Sequence, residues 1–166
     1  MSKINIKECV KDAKNNASEP IYLGCEDYNG TTFMYIKDPR TMYSNNVVIS
    51  ASCRISYEFA PKTYCILTDS IFEKMPTNYQ LFMIEHEKAH CLFGHLEFNE
   101  YKVLRRFLPN SKEEMIEYEA DSKAASNIGK DIAIGALRWM INNISLSLSS
   151  KMEIKRRIRR LKKVDW

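Results

Sequence analysis

The chain has 166 residues, 45% of them apolar, and a formal net charge of +4, which suits one compact domain over 1–166 with a sizeable core. It holds no run near the roughly 18 apolar residues of a membrane-spanning helix, and its first ten residues mix polar and apolar types, so no export signal is expected and the product should stay in the cytoplasm. The five cysteines are odd in number and widely spaced, and with no CxxC pair they read as reduced thiols packed as small apolar groups.

In chain order, an amphipathic helix is expected at 4–14, then a polar break at 15–20. Strand-like segments follow at 21–25 and 31–36, flanking Asp27-Tyr28-Asn29-Gly30, an Asn-Gly hairpin signal. Further strands are expected at 47–52, 55–59 and 64–68, with Pro39 and Pro61 at turns. From residue 77 the pattern is helical, over 77–93, 96–107, 112–127, 131–144 and 151–164. Thr77 with Gln80, and Ser111 with Glu114, have capping-box spacing. Gly94 is placed to end the first of these helices. Strands first and helices later make an α+β protein.

The helix from Thr77 contains His86-Glu87-Lys88-Ala89-His90, an HExxH sequence. Residues four apart share a helix face with Cβ atoms about 5–6 Å apart, so two neutral imidazoles can grip one metal ion. Glu87 lies roughly 100° around the helix from His86 yet projects near the same place, where it can serve as a base towards metal-activated water. Leu81, Phe82, Ile84, Ala89 and Leu92 supply apolar surface, so the helix should be largely buried. Burying two histidines with Glu85 and Glu87 is costly without partners, and a metal ion removes much of that cost. Cys91 is adjacent to His90 and therefore diverges from it by about 100°, which makes it a packing residue.

Catalytic zinc usually takes three protein ligands. In the helix at 112–127, Glu117 and Asp121 are four apart on one face; Glu117 can ligate a metal while Asp121 accepts the free N–H of a liganding histidine. Glu113 and Glu119 are expected to be solvated charges.

Together these residues resemble the gluzincin metallopeptidases, whose signature is HExxH followed by ExxxD on a later helix. The nearer similarity is to the branch of HtpX-like and CAAX-prenyl-type proteases, where HExxHxxxxH and EYxAD recur; here these are residues 86–95, ending in Cys91-Leu92-Phe93-Gly94-His95, and Glu117-Tyr118-Glu119-Ala120-Asp121. Residues 64–75 look like that branch's strand, turn and short helix, and Arg157-Ile158-Arg159-Arg160-Leu161 is similar to its terminal RIxxL element. Residues 1–59 carry no likeness. Many members of the branch are membrane-embedded, whereas this chain resembles a soluble minimal version. The small ImmA/IrrE-like peptidases are the second resemblance, usually with asparagine at the place of Asp121.

The resemblance implies a zincin-like fold, an antiparallel-rich sheet whose edge strand at 64–68 lies over the active-site helix and binds an extended polypeptide substrate by backbone hydrogen bonds. It implies peptide hydrolysis with zinc held by His86, His90 and Glu117, Asp121 as support, and Glu87 as general base. An oxyanion donor is also needed; Tyr118, His95 and Arg157 are the candidates. His95 falls nine residues after His86, one short of the metzincin ligand spacing, and is expected at the helix end.

Charge is uneven. Residues 151–163 hold eight Lys or Arg against one Glu, a net of +7, which leaves −3 for the rest. Met152, Ile154, Ile158 and Leu161 give this segment an apolar stripe for docking, with its charges expected to face water. Nucleic acid or another anionic surface is a candidate partner there, a solvated face being the default. The alternative to a peptidase is a catalytically silent, metal-stabilised module that binds protein or nucleic acid.

Overall fold

Asn29 and Gly30 both adopt positive φ, 49° and 77°, the conformation of a two-residue type I′ turn. They fold β1 (Ile21–Tyr28) back on β2 (Thr31–Lys37) as an antiparallel hairpin, as the Asn-Gly signal predicts. In the computed structural model, residues 21–37, 51–55, 63–68, 71–95 and 110–164 are described; the helices expected at 4–14 and 96–107 lie outside them.

The architecture is α+β. The sheet order is β1-β2-β4-β3, with β3 at Ala51–Ile55 and β4 at Thr63–Thr68. β2 runs parallel to β4, and β4 antiparallel to β3. Two expectations change here. A single strand, β3, runs through the break expected between the strands at 47–52 and 55–59, whose remaining residues, 47–50 and 56–59, lie outside the described ones. The segment at 64–68, expected at the edge, is interior: it pairs along its length with β2 on one side and β3 on the other. Its residues Tyr64, Ile66 and Thr68, which share one face, are buried, as is Thr63 at its start. β1 and β3 are the outer strands among the described residues. β1 carries an irregularity at Gly24, the kind of bulge that discourages edge-to-edge pairing.

A 3-10 turn at Phe72–Lys74 leads into α1 (Thr77–Leu92). The expected capping box does not form. Thr77 is already helical, Pro76 occupies the cap, and the Gln80 side chain donates back to the Met75 carbonyl at 2.9 Å. At the other end Gly94 has φ 70°. His95 N–H reaches the His90 carbonyl and Gly94 N–H the Cys91 carbonyl, at 3.0 and 3.1 Å, which is a Schellman cap.

Three helices complete the fold: α2 (Asn110–Ile128), α3 (Lys130–Asn143) and α4 (Leu148–Lys163). α2 begins one residue before Ser111, which therefore sits in the first turn and not at the cap. α4 starts three residues before the expected position because the Ser147 hydroxyl accepts the Ser150 N–H, an N-cap. Ala120, Ala124 and Ala125 are buried, and such short side chains let α2 approach its neighbours closely. Gly135 in α3 does the same for α1, where the Tyr79 ring lies 2.7–2.9 Å from the place a β-carbon would occupy.

The buried side of α1 is not its most apolar one. Leu81 and Leu92, expected in the core, are 51% and 39% exposed, whereas His86, Lys88 and His90 are buried with Phe82, Met83 and Ala89. Lys88 is satisfied by Glu26 of β1 at 2.7 Å and Glu85 at 3.1 Å, and Glu85 also accepts from Asn127 of α2. One polar knot thus ties α1 to the sheet and to α2. Cys91, expected as a free thiol, is disulfide-bonded and packs with Phe33, Tyr64 and Ile66 of the sheet; among the described residues Cys25 is the free cysteine. No helix among the described residues is long and apolar enough to cross a membrane.

Candidate metal centre

α1 and α2 pack side by side, and this brings His86, His90 and Glu117 together as a group able to hold a metal ion. His86 Nε2 lies 3.0 Å from His90 Nε2. Glu117 approaches His86 Nε2 to 3.4 Å through Oε2 and His90 Nε2 to 3.6 Å through Oε1. Both histidines are buried. The i, i+4 spacing turns the two rings to one side of α1, and Glu117 meets them from the opposite helix.

The remaining contacts fix which ring nitrogens face inward. His86 Nδ1 is 2.9 Å from Asp121 Oδ1, close but poorly aligned, so this buried nitrogen has no well-directed hydrogen bond. His90 Nδ1 lies 3.0 Å from His95 Nδ1, and His95 Nε2 lies 3.3 Å from Glu119 Oε2. Carboxylates accept only, so protons on the outer nitrogens leave both Nε2 lone pairs directed at each other and at Glu117. Three acceptors converging in a buried space require a proton or a cation among them.

The charges agree. Burial by itself would lower the His86 pKa, but the Asp121 and Glu117 contacts outweigh it and hold the imidazolium up at about 10. Burial, with His86 beside it, pushes His90 down to about 3, so it stays neutral. Burial would raise Glu117, yet Arg157 and His86 keep it well below the usual carboxylate range. Asp121 is lowered in the same way, burial being overcome chiefly by Arg157. In metal-free protein a proton on His86 therefore fills the place between the ligand atoms. The donor set, two imidazole nitrogens and a carboxylate, fits a metal ion in that place.

Of the other expected site residues, Glu87 is half-buried on α1 beside His86. Tyr118 packs against the helical core, with Arg160 over its ring; with Met115, Glu119, Arg160, Lys163 and Val164 it lines an open cavity of about 450 Å³. Arg157 is not available as an oxyanion donor, because it is buried and held by Asp121 and Glu117. His95 is committed to His90, and Glu119, expected as a merely solvated charge, is paired with His95. What the sequence pattern missed was that α4 would turn Arg157 inward. The signal was present, since Arg157 lies between Ile154, Ile158 and Leu161 on the apolar stripe.

No protein-family profile, curated protein or solved structure matches this chain.

Proposed function

We propose that the protein is a zinc-dependent endopeptidase with a zincin-like site. The observation that carries this reading is the convergence of His86 Nε2, His90 Nε2 and Glu117, with Glu87 one residue from the first ligand. With zinc bonds of about 2.0–2.1 Å, a tetrahedral site separates its ligand atoms by roughly 3.3 Å. The closest approaches here, 3.0, 3.4 and 3.6 Å, bracket that value. Bound there, zinc supplies Lewis acidity and a water ionisable near neutral pH. Glu87 would be the base for such a water and would return the proton to the leaving amine.

The substrate in this reading is an extended polypeptide. Since β4 is paired on both sides, the strand suited to adding a peptide is β3, an outer strand against which α1 lies. A peptidase assay on zinc-loaded protein tests the proposal. Cleavage by the wild type that Glu87→Gln abolishes, with zinc content unchanged, supports it; zinc binding with no Glu87-dependent cleavage overturns it.

That second outcome would favour a metal-stabilised binding module. The observation on its side is the outer face of α4, where Lys155, Arg159, Lys162 and Lys163 are exposed and would face an anionic partner such as nucleic acid, while Arg156 beside them is paired with Glu114. Arg157 does not belong to that surface. Neutralising Lys155, Arg159 and Lys162 together is the relevant test, and DNA binding that survives it would rule the surface out.

A further inference from the structure

His90 and His95 are joined twice. The left-handed Gly94 turns the chain so that His95 N–H donates to the His90 carbonyl at 3.0 Å, and the same turn sets their Nδ1 atoms 3.0 Å apart. The far side of the His95 ring then meets Glu119 of α2 at 3.3 Å, two residues from Glu117. His95 is partly buried and Glu119 is exposed.

The hydrogen-bond logic of this chain runs one way. Glu119 accepts, so His95 carries its proton on Nε2 and presents the Nδ1 lone pair. His90 must then donate from Nδ1, which leaves Nε2 as a lone pair pointing at His86 and Glu117. Rotating the His90 ring, or moving its proton to Nε2, would break the contact to His95.

We propose that Glu119 and His95 act as a relay that positions His90, locking its ring and tautomer so that Nε2 is ready to bind the metal. This rests on the zinc-site reading above. The relay stands behind His90 as Asp121, 2.9 Å from His86 Nδ1, stands behind His86, so each imidazole of the HExxH sequence has an α2 carboxylate on its outer side, one beside it and the other reached through the turn after α1. Such outer partners typically contribute about 10–100-fold in metal affinity.

The test is zinc affinity, measured by competition with a chromogenic chelator, for the wild type, His95→Ala, His95→Gln, Glu119→Ala and the His95→Ala/Glu119→Ala double variant. The expected results are a loss of about tenfold or more in His95→Ala and recovery of most of it in His95→Gln, whose amide oxygen can accept from His90. Glu119→Ala should weaken binding in the wild-type background and have no further effect in His95→Ala, the non-additivity of residues in one chain. Nitrogen-15 spectra of the zinc-loaded wild type should show His90 protonated on Nδ1. Glu119 is at the surface, so its substitution probes the relay without disturbing the core. Wild-type affinity in both His95→Ala and Glu119→Ala, or additive losses in the double variant, would overturn the relay while leaving the zinc site standing. A wild type that binds no zinc would instead remove the reading on which the relay rests.

Discussion

Arg157 of α4 grips Asp121 of α2 with two hydrogen bonds, Nε to Oδ2 at 2.7 Å and Nη2 to Oδ1 at 2.6 Å. Asp121 is completely buried and Arg157 nearly so. The same Asp121 oxygen lies 2.9 Å from His86 Nδ1, and the third guanidinium nitrogen reaches Glu117 at 3.0 Å. The basic helix α4 is thereby built into the candidate metal centre, and one buried cation stands against a buried and a half-buried carboxylate.

Removing that cation strips Asp121 of its two hydrogen bonds from Arg157 and leaves only His86 beside it in the interior. Arg157→Met, which keeps most of the side-chain volume, is expected to cost about 3–5 kcal/mol in urea unfolding. A variant with the wild-type midpoint would show that the pair does not support the fold.

Gly135 marks the closest approach of α3 to α1. A methyl group there would meet the Tyr79 hydroxyl and ring carbons at 2.7–2.9 Å, nearer than atoms pack, so the half-buried Tyr79 ring has to move. Gly135→Ala is expected to destabilise by about 1–3 kcal/mol, although alanine is ordinarily the better helix former. Thermal melting of Gly135→Ala beside Gly135→Ala/Tyr79→Leu would check this, since trimming the ring should restore most of the loss.

The ionisable cluster sets a pH window for metal-free protein. His86 is held up at about 10 from 6.5, so its contribution is complete below pH 6.5 and is lost as pH rises towards 10. Asp121 is depressed from 3.8, so its contribution is present above that pH and is lost as pH falls through its folded value. His90 is pushed down to about 3 from 6.5, so its contribution is complete above pH 6.5 and is lost as pH falls, and metal-free protein should be most stable near pH 6.5 as far as these groups decide. Zinc bound among these ligands would take the proton's place and should flatten the alkaline decline. Melting temperatures measured across pH with and without zinc would show it; a metal-free melting temperature that climbs between pH 6.5 and 10 contradicts the assignment.

Much of the candidate site was legible in the sequence because it depends on helical spacing. A spacing of four positions from His86 to His90, and of four from Glu117 to Asp121, puts each pair on one face whatever the helices pack against. The Asn29-Gly30 turn was legible for a similar reason, since positive φ at both positions selects those residues. Sheet order was not legible. That β4 lies between β2 and β3 depends on long-range pairing, and an alternation of side chains does not say which neighbours a strand has. The inward turn of Arg157 was obscured by composition, because the seven other Lys and Arg of its segment suggested a solvated face. The roles of His95 and Glu119 depend on a left-handed glycine and a contact across 24 positions, which no local pattern reports.

The central claim is that His86, His90 and Glu117 form one metal site, and calorimetric titration of zinc into metal-free protein, with Glu117→Ala in parallel, tests it most directly. The expected result is one ion bound per wild-type chain and sharply weaker binding in the variant. No binding to the wild type, or the same affinity in both proteins, would contradict it.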